Sequence, residues 1–70
     1  MDRQKLLNYA RNFGAEARAN YRKSFMTKDD REDLITEAGV SKWSDIPEDL
    51  CQELQAAFDS GYQSESKHYI

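Results

Sequence analysis

Three arginines carry the clearest chemical pattern in this chain. On a helix turning by about 100° per residue, Arg11, Arg18 and Arg22 fall within about 40° of one another, with Gln4 and Ala15 on the same line. A guanidinium is a planar fork that suits carboxylates and phosphates. The stripe can therefore bind acidic groups of its own chain, of a second copy, of another protein or of a nucleic acid. Tyr9, off the centre of the neighbouring apolar stripe, and Trp43 are the aromatic side chains best suited to a partner contact. Trp43 has a second use, as an anchor for the connector between two helices. These five residues form the candidate partner-binding set.

The other reactive side chains are poorly placed for catalysis. Asp29 and Asp30 are adjacent carboxylates, as are Glu32 and Asp33. Acid–base work needs a cleft that desolvates one carboxyl and raises its pKa. A chain of 70 residues has little core from which to build one. Helix-start charges account for these pairs. Cys51 borders an apolar stripe and reads as a structural thiol rather than a nucleophile. Cys51 and His68 together fall short of the four ligands of a structural zinc site. Gly14, Gly39 and Gly61 stand alone and make no phosphate-binding loop. The expectation is a protein that is not an enzyme, with no metal and no cofactor.

Three helices are predicted to position these residues. Leu6, Ala10, Phe13, Ala17, Tyr21 and Phe25 recur at spacings of three and four, which predicts a long helix over 2–25. Gly14 in that stripe marks either a close helix crossing or a neutral gap. Thr27 followed by Asp30 reads as a shortened capping box, opening a short helix over 28–38 that Gly39 closes. Val40, Trp43 and Ile46 suggest a single 3₁₀ turn. Ser44 or Asp45 is the expected cap of a third helix, with Pro47 in its first turn and an end near 60–62. The expected core is Leu6, Ala10, Phe13, Ala17, Tyr21, Leu34, Ile35, Trp43, Leu50, Leu54 and Phe58. This gives an all-α domain over 1–62, with helix 1 packed on a hairpin of helices 2 and 3, and a polar flexible tail over 63–70.

The net charge of −3 conceals a segregation. Residues 1–28 carry seven basic and two acidic side chains, a balance of +5. Residues 29–70 carry three basic and eleven acidic ones, a balance of −8. Such asymmetry points to interaction surfaces. Leu, Ile, Val and Phe number only 12 of 70, so the core is thin and a homodimer is expected to complete it.

The leading expectation is a small regulatory or inhibitory protein that binds another protein. A polar chain this short and free of motifs resembles the small accessory proteins of bacteria and bacteriophages. Nucleic-acid binding through the basic helix 1 is the alternative. It is disfavoured because a pI near 5.0 opposes phosphate binding. The stretch Leu34–Ser41 resembles the centre of a helix-turn-helix, but the second helix would hold Asp45, Pro47, Glu48 and Asp49, which break or repel. No segment has the roughly 18 apolar residues of a membrane span, and no secretory signal is recognisable. A cytoplasmic location is expected.

Overall fold

The computed structural model describes residues 2–66. They form α1 (Arg3–Ala19), α2 (Lys28–Ala38), a 3₁₀ turn (Trp43–Asp45) and α3 (Glu48–Ser66), with no strand among the described residues. The all-α, three-helix architecture matches the sequence reading. The expected hairpin of helices 2 and 3 is not the organising unit. The main packing is between α1 and α3, while α2 lies on α1 and the 3₁₀ turn. Arg3 meets Asp49 and Glu53, and Arg18 meets Tyr62, so α1 and α3 run in the same direction. Lys5 pairs with Glu37 and Arg22 with Asp30, so α2 runs back along α1.

Small residues set the α1–α3 distance. Ala10, Gly14 and Ala17 are buried on α1, and Ala57 and Gly61 on α3. A Cβ built on Gly14 would overlap the Phe58 carbonyl, and one on Gly61 would overlap the Arg11 carbonyl. Gly14 therefore marks a close crossing, backbone against backbone. Around it Leu6, Leu34, Leu50, Leu54 and Phe58 are fully buried, joined by Met26 and Ile46. Phe13 and Trp43 pack on this core half-buried, and Ile35 is also half-exposed.

The capping chemistry of α2 follows the sequence. The Asp30 N–H donates to the Thr27 hydroxyl and the Thr27 N–H to the Asp30 carboxylate, both at 3.2 Å. Gly39 ends the helix at φ 75°, a left-handed conformation in which a Cβ is costly.

Helix 1 stops six residues earlier than expected. The Arg22 N–H donates to the Ala17 carbonyl at 2.7 Å and the Tyr21 N–H to the Arg18 carbonyl at 3.1 Å. This pair of bonds is a Schellman closure. Its left-handed position is held by Tyr21 at φ 60°. The apolar stripe beyond Ala19 is therefore not helical. Tyr21, expected in the core, is 82% exposed, and Phe25 is 56% exposed. Met26 is buried in their place. The loop is tied down at three points. The Tyr62 hydroxyl donates to the Arg22 carbonyl at 2.7 Å, the Ser24 hydroxyl donates to Asp59 at 3.1 Å, and Arg22 reaches Asp30 at 3.8 Å.

Helix 3 also differs at both ends. The Cys51 N–H donates to the Pro47 carbonyl at 3.0 Å, so Pro47 holds the cap position. Ser44 and Asp45 belong to the 3₁₀ turn instead. The cause is proline, which disfavours helical backbone in the residue before it. Ile46 is accordingly extended, at φ −81° and ψ 132°. At the other end the helix runs to Ser66, past the expected helix end near 60–62. His68 and the rest of 67–70 lie outside the described residues.

Candidate functional site

The arginine stripe is dispersed. Arg11 is exposed, donates weakly to Asn8 Oδ1 at 3.4 Å, and pairs with no carboxylate among the described residues. Arg18 is half-buried, its guanidinium 5.8 Å from the centre of the Tyr62 ring. Arg22 has left the helix for the loop. Only Arg11 and Arg18 therefore share the helical line that the sequence spacing proposed for three.

Of the three, Arg22 forms an ion pair with Asp30, and further pairs come from basic residues outside the stripe. Arg3 binds Glu53, and its Nη2 lies 3.2 Å from Asp49. Lys5 Nζ lies 2.7 Å from Glu37. Part of the charge segregation is thus spent inside the chain, between α1 and the acidic helices. Hydrogen bonding to Arg3 holds the Asp49 carboxyl below its usual range. Its contribution to stability is present above that range and is lost as the pH falls through the lowered pKa. Hydrogen bonding to Glu37 raises the Lys5 pKa, so that contribution is present below the usual lysine value and is lost as the pH rises through the raised one. Arg3→Ala is expected to return the Asp49 titration upward with little change in the unfolding midpoint at neutral pH, because exposed pairs contribute little. Carboxyl chemical shifts followed through an acid titration check this.

Cys51 is half-buried, and its thiol points to the Ile46 carbonyl at 3.7 Å. Burial pushes its pKa up, which opposes thiolate formation. Among the described residues, no three or more His, Cys, Asp or Glu side chains are grouped to hold a metal ion. None of the described helices is long and apolar enough to cross a membrane.

No family model, curated protein or solved structure matches this chain. The functional reading therefore rests on its own surface. Trp43 is half-buried at the 3₁₀ turn, with the Arg31 guanidinium of α2 at 5.8 Å. It is a connector anchor placed against α2. Tyr9 is partly exposed and stacked on Phe13, ring centres 6.4 Å apart.

The most exposed large apolar side chains are ones the sequence reading placed in a helical stripe. Tyr21 and Phe25 flank Arg22, Lys23 and Ser24 on the loop between α1 and α2. The neighbouring bundle end adds Arg18 and Lys28. One signal in the sequence pointed there. With the α2 cap at Thr27, a helix running to residue 25 leaves one residue to reverse the chain, where such connections take about 2–8.

Proposed function

We propose that this chain is a small non-enzymatic regulatory or inhibitory module that acts by binding another protein, with the loop over 20–25 at the centre of its contact surface. The observation that carries this reading is Tyr21. A non-glycine residue in the left-handed region costs about 1–2 kcal/mol. Glycine would close the same turn without that cost. The Tyr21 side chain is nearly all in solvent, so the ring itself makes little contact that would offset the strain. Strain of this kind at an exposed aromatic fits a contact made outside the chain. Tyrosine and arginine are favoured at the energetic centres of interfaces. Arg22, Lys23 and Arg18 give the surface a positive character that suits an acidic partner.

Tyr21→Gly separates stability from binding. It is expected to stabilise the fold by about 1 kcal/mol in urea unfolding. Combined with Phe25→Ser, it is expected to abolish capture of the partner that the unaltered chain enriches from lysate. Equal capture by both forms would refute the loop assignment.

A second copy of the chain is the other occupant that the exposed rings would suit, as the thin core suggests. Sedimentation equilibrium at micromolar concentration distinguishes the two, since a species of 8.2 kDa leaves the loop free for a different protein. Nucleic acid remains the weaker reading, since the basic loop sits beside Asp29, Asp30 and Asp59.

A further inference from the structure

A cleft of about 290 Å³ opens between α1 and α2, lined by Tyr9, Phe13, Asp33, Thr36 and Glu37. Small-molecule sites run to roughly 300–1,000 Å³, so it has room for a small group. Its two walls differ in chemistry. From α1 come the Tyr9 and Phe13 rings, stacked with only 22° between their planes. From α2 come Asp33 and Glu37, one turn apart on the same face. The Thr36 hydroxyl already donates to the Glu32 carbonyl at 3.0 Å. Glu37 receives Lys5. Asp33 has no hydrogen-bond or ion-pair partner among the described residues. The helix that carries both acids holds five acidic and two basic side chains.

Aromatic faces attract a cation, and carboxylates accept its N–H groups. A quaternary ammonium has no N–H to donate. A guanidinium stacks flat on rings and donates in a fork to a carboxylate. We propose that this cleft is a guanidinium site that takes an arginine side chain presented by another protein. It shares no residue with the loop over 20–25, so it stands or falls independently of that loop. Lys5 holds Glu37 in the unbound chain and competes with the incoming cation.

The test is a titration of isotope-labelled protein with N-acetyl-argininamide, followed at the Tyr9 and Phe13 rings and the Asp33 and Thr36 amides. Saturable shifts at these positions are expected. The citrulline analogue, which has the same shape without the charge, should give none, and the lysine analogue should bind more weakly. Asp33→Asn, at an exposed position, should weaken binding about tenfold through loss of a charge-assisted pair. Lys5→Gln should tighten it. Circular dichroism confirms that each variant keeps its helices. No saturable shift, an equal response to citrulline or lysine, or unchanged affinity in Asp33→Asn would overturn the proposal.

Discussion

Replacing Gly14 by Ala is expected to unfold the protein at room temperature, although alanine is the better helix former. Helix propensity alone favours the substitution by about 1 kcal/mol. The crossing opposes it. The new methyl would occupy the place of the Phe58 carbonyl, with its carbonyl carbon 2.8 Å and the Tyr62 nitrogen 3.0 Å away. These are backbone atoms and have no rotamer by which to move aside. The helices would have to separate, which opens the core around Leu54 and Phe58. Overpacking costs about 1–3 kcal/mol where side chains can yield, and more where they cannot. A chain this small gains only about 3–5 kcal/mol from its core. Gly61→Ala meets the Arg11 carbonyl and should do the same. The double variant should cost less than the sum, because the first methyl already parts the helices. Asn12→Ala, at an exposed position of α1, is the control for propensity and should stabilise slightly. Circular dichroism at room temperature reads all four, and urea unfolding ranks those that keep their helices. A Gly14→Ala chain as stable as the original would contradict the crossing.

Leu34→Ala is expected to cost about 3 kcal/mol and to release α2 first. Leu34 is the apolar side chain of α2 that is fully buried. The remaining ties of α2 are the half-buried Ile35 and Ala38, the capping box, and pairs such as Lys5–Glu37. Removing a buried leucine costs about 2–5 kcal/mol, depending on how far the site collapses. Here the neighbours are rigid helices, so little collapse is available. Ile35→Ala should cost under about 1 kcal/mol, because that side chain is half in solvent already. Amide exchange would show the α2 protons losing protection while those of α1 and α3 keep part of theirs. Equal costs at 34 and 35 would contradict the orientation of this helix.

Local chemistry was the legible part of the sequence. Thr27, Asp30 and Gly39 set the ends of α2 because capping uses atoms within a few residues of one another. The 3₁₀ turn followed from the spacing of Val40, Trp43 and Ile46. Periodicity found Leu6, Ala10, Ala17, Leu50, Leu54 and Phe58 for the same reason. It failed at Tyr21 and Phe25, which continue the pattern of α1 past its end. What ends the helix is tertiary, since Tyr62 and Asp59 of α3 hold the loop at Arg22 and Ser24. The arginine stripe failed with it, because Arg22 belongs to that loop. Gly14 was legible only as a choice between two meanings. Its partner Gly61 lies 47 positions away, and only the packed helices bring the two crossings together. The pairing of basic with acidic segments was visible in outline. Which residues pair, Arg3 and Lys5 rather than Arg11, depends on the parallel course of α1 and α3 and the return of α2.

The most direct test of the account is site-specific photocrosslinking in cells or native lysate. A photoreactive phenylalanine replaces Tyr21 or Phe25 in two variants, and exposed Gln52 at the far end of α3 in a third. The account predicts a protein adduct from positions 21 and 25 and none from 52. Adducts from 52 with none from the loop would contradict it.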